Sequence, residues 1–168
     1  MENGNFINKV EASGIVALDL IDYKTELEII EFDIKTLLFM EMIVKEKEFR
    51  ASLSDIDLSM YKEKAVAFVC SVDAIIPPWV YMVLADVFHG NAAYFDFKDA
   101  AGVALDLWKK NLTEADLSTY QDKKIVVRAR PDIPPALYIM ATALLKPLVK
   151  TLMYGEIGLP KVIYKKQV

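Results

Sequence analysis

The stretch Leu53-Ser54-Asp55-Ile56-Asp57-Leu58-Ser59-Met60-Tyr61-Lys62-Glu63-Lys64 returns as Leu112-Thr113-Glu114-Ala115-Asp116-Leu117-Ser118-Thr119-Tyr120-Gln121-Asp122-Lys123, at an offset of 59 (116 − 57). Behind each copy comes a β-rich run, residues 65–70 and 124–129. An aspartate follows (Asp73, Asp132), then a proline pair (Pro77-Pro78, Pro134-Pro135) and a tyrosine three residues on (Tyr81, Tyr138). The proline pairs lie 57 apart (134 − 77), so the second copy is two residues shorter ahead of its prolines. Chance readily supplies one Pro-Pro pair. The whole ordered set is the mark of an internal repeat, covering about 53–97 and 112–154.

Each copy translates into elements. Ser54 and Thr113 stand three residues before an aspartate, the arrangement that caps a short helical turn. Val66, Phe68 and Val69 in one copy, and Ile125, Val126 and Val127 in the other, predict a buried strand. The prolines open a helix, because the first helical position has no use for the missing N–H. That helix is expected over 79–89, stopped by Gly90, and over 136–146, ended by Pro147. A second strand is expected at 92–97 and at 148–154, and strand–helix–strand is the unit of parallel sheets. Between the copies, 98–111 reads as an amphipathic helix with Ala101, Ala104, Leu105 and Trp108 on one face. Upstream, 15–20 and 27–32 read as an antiparallel strand pair around a polar turn at 22–25. Residues 37–50 contain a helix, with 40–44 also suited to a strand. The tail from Gly155 reads as a surface arm. The expected fold is α/β: a mostly parallel sheet with flanking helices, two related strand–helix–strand units and an N-terminal antiparallel pair, in one domain over 1–168.

Composition narrows the function classes. Hydrophobic residues make up 54% of the 168 and mean hydropathy is +0.25, which excludes a disordered chain. The helix after each proline pair is apolar nearly all round. Asp86 is the one charge within 80–88, and 136–145 carries none. Such helices need cover on more than one side, from each other or from their equivalents in a second copy, and of these a homodimer is the expectation. A net charge of −4 with scattered basic residues gives no footprint for nucleic acid. No secretory signal is legible in 1–9, and no apolar run is long enough for a membrane span. A single cysteine, Cys70, fits a cytoplasmic protein, and with one histidine, His89, it cannot build a Cys/His metal site.

Candidate site residues follow from the topology. Ligands of open parallel sheets bind beyond the strand carboxyl ends, where helix N-termini also point. Asp73 and Asp132 are expected there, each with a competing role of ordering the turn before its helix. Trp79, Tyr81 and Tyr138 fall in the first helical turns, as pocket walls or as anchors in the core. Arg130 would bring positive charge to the same edge. Cys70 ends a strand ahead of a helix, a place that can activate a thiol. Its counterpart is Ala129, however, which favours a small core residue. His89 reads as a helix C-terminal residue. No catalytic residue, metal or cofactor is assigned, and the G-x-G-x-x-G, P-loop, H-E-x-x-H and G-x-S-x-G signatures are missing.

Asn8-Lys9-Val10 with Ser13-Gly14, Phe32-Asp33-Ile34-Lys35, Lys47-Glu48-Phe49-Arg50, Cys70-Ser71-Val72-Asp73-Ala74-Ile75 and Met153-Tyr154-Gly155-Glu156 together resemble the bacterial family of domain of unknown function 2480. The resemblance spans nearly the whole chain and implies no activity. Three readings stand: a non-catalytic binding or regulatory module acting as a homodimer; a small-molecule binder or enzyme with its site around Asp73 and Asp132; and, implied by the resemblance alone, an accessory factor in iron–sulfur biogenesis.

Overall fold

The computed structural model describes residues 13–167, so Asn8-Lys9-Val10 lies outside them. Along the chain run β1 (Ile15–Leu18), β2 (Ile29–Asp33), α1 (Glu46–Ser54), β3 (Ala65–Val69), α2 (Pro78–Phe88), β4 (Tyr94–Asp96), α3 (Ala100–Glu114), β5 (Lys124–Val127), α4 (Pro135–Leu145), β6 (Thr151–Tyr154) and β7 (Lys161–Lys165). Short 3-10 turns stand at Leu20–Tyr23, Ile34–Leu37, Leu58–Tyr61 and Ser118–Tyr120. The chain groups into two compact units, residues 25–107 and residues 1–24 with 108–168. The first-named is spliced into the chain of the other, which resumes inside α3 at Trp108.

Both units form a parallel sheet around an apolar central strand. In the inner unit the order is β2-β3-β4, all parallel. In the outer unit it is β1-β5-β6-β7, parallel except for the β6–β7 pair. The expected N-terminal antiparallel pair is therefore corrected: β1 and β2 lie in different sheets. The reason is that the segment between them is no hairpin. Asp19 caps the 3-10 turn Leu20–Tyr23 and Leu20 is buried. Each strand instead supplies the second edge partner that β5 or β3 needs. The tail is corrected too, since Gly155 turns it back at φ 119 and β7 pairs along β6.

Within the inner unit, alternation along β3 separates two apolar layers. Val66 and Phe68 face a cluster with Phe49 and Leu53 of α1 and Val80, Leu84 and Phe88 of α2. Ala65 and Ala67 face Val103 and Leu107 of α3. Phe88 is the hub, with ring centroids 5.5 Å from Phe32, 5.1 Å from Tyr61 and 4.9 Å from Phe68, all edge-on. In the outer unit Leu137, Ala141 and Leu145 of α4 are buried, as are Ile125, Val126 and Leu152 of the sheet. The Trp108 indole N–H donates to the Leu20 carbonyl at 2.7 Å, tying α3 to the first 3-10 turn of this unit.

Several local expectations shift. Ser54 and Thr113 do not cap; their hydroxyls donate to the carbonyls of Ala51 and Lys109. Asp57 is the cap of Leu58–Tyr61, and Asp116 stands one residue before the Leu117 cap position of Ser118–Tyr120; they accept from the amides of Ser59 and Ser118, each at 3.0 Å. A carboxylate two residues ahead meets the free amide without straining the backbone. Glu63 and Asp122, also 59 apart (122 − 63), share a left-handed conformation at φ 61 and 55 before the central strand. The buried face of α3 is Val103, Leu107, Trp108 and Leu112, whereas Ala101 is exposed. Residues 39–43 form neither helix nor strand but a tight reversal, bridging Phe39 to Ile43, with Met40 and Glu41 at φ 51 and 57.

Replacing Phe88 by alanine empties the hub and is expected to cost about 3–5 kcal/mol. Phe88→Leu installs the residue of the matching outer-unit position, Leu145, and is expected to cost less than half as much. Urea unfolding of both variants checks the order.

Candidate functional site

Each sheet carries an aspartate at the end of its first strand, and each aspartate reaches across to the loop after the central strand. In the outer unit both Asp19 carboxylate oxygens accept from Arg130 Nε, at 2.8 and 2.9 Å, while Oδ1 also accepts from the Ile21 amide at 3.2 Å. Arg128 Nη1 lies 3.9 Å away. In the inner unit Asp33 accepts from the Lys35 amide at 3.0 Å, the Ser71 amide at 3.2 Å and the Ser71 hydroxyl at 2.5 Å. The two latches match: Ser71 and Arg130 are 59 apart (130 − 71), and the ladders pair Leu18 with Val127 and Phe32 with Phe68.

Their electrostatics agree with a holding role. The Arg130 hydrogen bonds keep the Asp19 carboxyl below its ordinary range against the opposing effect of burial. The same contact raises Arg130. At Asp33 burial is the largest influence and pushes the carboxyl up. The Ser71 hydroxyl and the Lys35 and Ser71 amides together outweigh it, leaving the carboxyl below its ordinary value. Carboxylates supplied with donors in this way are weak bases and serve to fix the strand-end loops.

Tyr138 joins the outer latch. Its hydroxyl accepts from the Arg130 amide at 3.1 Å and sits 3.2 Å from the Arg130 carbonyl and 3.3 Å from that of Arg128. Burial raises this phenol, so it stays protonated. Its ring meets Tyr154 edge-on at 5.6 Å, and Tyr81 meets Phe97 likewise at 4.8 Å. These pairs are again matched (138 − 81 and 154 − 97 both give 57), and each roofs a cavity. The cavity with Tyr81, Phe68 and Phe95 measures about 170 Å³, and the one with Tyr138, Val127 and Leu152 about 280 Å³.

The remaining expected residues do not converge. Trp79 is a core anchor, with its ring 5.9 Å from Phe49 and the Arg50 guanidinium 5.6 Å above it. Asp73 and Asp132 are exposed and belong to different units, and neither caps its helix. Pro77 and Pro134 occupy those cap positions without a side-chain bond. Asp132 adds only a charge near Arg130. Asp73 lines a groove of about 540 Å³ with Met42, Ile43, Val44, Ile75 and Pro77. Cys70 is half-buried, with its thiol donating to the Val72 carbonyl, and His89 closes α2. Among the described residues no three His, Cys, Asp or Glu side chains gather as a metal set, and no helix is long and apolar enough to cross a membrane.

A family model described as a protein of unknown function, DUF2480, matches residues 4–166. The chain belongs to the DUF2480 family. No curated protein and no solved structure matches it. In this DUF2480 member the segments that carry the resemblance fall on the framework just described. Phe32-Asp33-Ile34-Lys35 and Cys70-Ser71 make the inner latch, Phe49 and Arg50 hold Trp79, and Tyr154 roofs the larger cavity. Sequence reading missed Asp19, Asp33 and Ser71 as a set. The available signal was the shared apolar–Asp–apolar triplet, Leu18-Asp19-Leu20 and Phe32-Asp33-Ile34, 14 apart (33 − 19).

Asp19→Asn is expected to lower the thermal midpoint at neutral pH by roughly 2–4 °C. The folded carboxyl titrates below its ordinary 3.8. Its stabilisation is therefore complete above that value and fades as pH falls through the lowered one. Melting curves of the two proteins should converge in strong acid, and a gap that persists there would assign the effect to packing instead.

Proposed function

We propose that the protein is a non-catalytic binding module of the cytoplasm, built from two copies of one unit and working as a homodimer. Its inner unit takes an apolar, positively charged segment of a partner protein in the groove beside Asp73. The observation that carries this reading is the groove's surround. Ile75 is 90% exposed and Met42 63% in its lining, beside a carboxylate that has no hydrogen bond or ion pair among the described residues, and Met40, in the same reversal as Met42, is 75% exposed. Apolar side chains held this far into water mark interaction surfaces, and methionine adapts to varied partners. The tight reversal at Phe39–Ile43 presents the two methionines, and Lys45 stacks 3.0 Å over the Phe39 ring behind it. An unpaired carboxylate among apolar groups selects a basic residue in the bound segment.

Panning a random peptide library on the purified protein tests this. Retained peptides should be apolar with Lys or Arg. Asp73→Ala should weaken them about tenfold, the loss of one exposed charge pair with its neighbouring contacts. Peptides that bind Asp73→Lys and Ile75→Asp as well as the parent would remove the groove from consideration.

A second reading, a small-molecule site, draws support from the cavity under Tyr138 and Tyr154. Its inner-unit counterpart is narrowed by Phe68 and Phe95, where this one has Val127 and Leu152. Small neutral aromatic compounds should then raise the thermal midpoint, and Val127→Phe should abolish the response.

A further inference from the structure

The two units carry opposite charge. Residues 25–107 hold seven Lys or Arg against fifteen Asp or Glu, a net −8 (7 − 15), while residues 1–24 with 108–168 hold thirteen against nine, a net +4 (13 − 9). Lysines far apart in the sequence gather at the end of the outer sheet where β5 and β6 begin. The Lys150 amide donates to the Lys123 carbonyl at 2.8 Å and the Lys166 amide to the Lys150 carbonyl at 3.0 Å, so three lysines stand in one row across the ends of β5, β6 and β7. The next row pairs Lys124 with Thr151 and Thr151 with Lys165. All five lysines are exposed, and at strand spacing each row spans roughly 10 Å. Lys166 reaches Asp122 at 3.4 Å, and the other four have no ion pair among the described residues. The repeated fold does not require this cluster. In the inner unit the matching places hold Lys64, Ala65 and Ala93 (123 − 64 and 124 − 65 give 59, 150 − 93 gives 57), and Lys64 is paired with Glu28 at 3.0 Å.

We propose that β7 is a docking edge: an acidic, extended segment of a partner protein adds to the outer sheet as a further strand, with its carboxylates on the lysine cluster. β7 pairs with β6 alone, so its other edge is open, and Lys161, Val162, Ile163 and Lys165 along it are exposed. An added strand satisfies the backbone groups of such an edge, and the side chains select its sequence. Charge decides the occupant. A second copy paired antiparallel about Ile163 sets Lys161 against Lys165, whereas glutamate or aspartate at those places makes opposite-charge pairs. Lysines confined to an edge strand would only guard it against self-pairing. Here the charge continues through Lys123, Lys124 and Lys150 at β5 and β6, which have neighbours on both sides, so it forms a surface. A nucleic acid fits less well. Arg128 and Arg130 lie at the other end of β5, with Arg130 bound to Asp19, and a polymer charged at every nucleotide would meet a chain of net charge −4. The surface belongs to the outer unit and is independent of the groove beside Asp73.

Fluorescence anisotropy of a labelled peptide of alternating glutamate and valine, titrated with the full chain at about 50 mM salt, tests the assignment. The peptide should bind and its lysine–valine counterpart should not. Lys161→Glu combined with Lys165→Glu should weaken binding at least about tenfold, with an unchanged circular dichroism spectrum. The same peptide N-methylated throughout keeps its charge but loses every backbone donor, and should also bind at least about tenfold more weakly. A parent that leaves the peptide free up to about 1 mM, or a double variant that binds it as well as the parent, overturns the docking edge. Equal binding of the N-methylated peptide overturns the added strand. A single-stranded oligonucleotide that binds more tightly than the peptide at the same salt, and loses that binding in the double variant, overturns the protein partner in favour of nucleic acid. Should the double variant fail to fold, Lys161→Ala with Lys165→Ala and the N-methylated peptide decide.

Discussion

β3 and β5 carry almost no side chain that water would accept, so their amides and carbonyls must find partners on both edges within the protein. An unmet backbone group in such a strand costs about as much as a lost hydrogen bond plus its desolvation. Each unit meets the demand in the same way. An N-terminal strand pairs along one edge, and the strand after the proline-opened helix pairs along the other. Parallel neighbours cannot be joined by a tight turn, which is why α2 and α4 lie where they do, each burying one face. The strand ends in each unit consequently gather at one side, together with the start of its helix.

That gathering explains the latches. A parallel strand end leaves amides without a ladder partner, and an aspartate there satisfies several at once. Asp33 takes three donors from Lys35 and Ser71, while Asp19 takes one amide and the Arg130 Nε–H, shared between its two oxygens. Serine in one copy and arginine in the other reach the same kind of carboxylate with different lengths of side chain. Tyr138 then fills the space beside Arg130, so these two groups, which looked available for chemistry at this edge, are engaged in holding it together.

Variation between the units lies elsewhere, in surface and cavity lining. Phenylalanines narrow one cavity where Val127 and Leu152 leave the other larger. Asp86 is exposed on α2, where the matching position of α4 is Ala143. In the proposed reading the inner unit meets the partner segment at the groove beside Asp73.

The amino-acid sequence by itself determined the local elements that depend on neighbours in the chain. These were the central strands, the helices opened by Pro77-Pro78 and Pro134-Pro135, the stop at Gly90 and the parallel connection each helix implies. It also marked Arg130 and Tyr138, though not that they would touch. The partners of β1 and β2, the pairing of Asp19 with Arg130, the exposure of Met40 and Ile75 and the strand made by the tail were decided only by the tertiary structure. Those outcomes turn on which distant strand has an open edge and which apolar face finds cover. Periodicity along the chain records which residues share a face but not what that face meets.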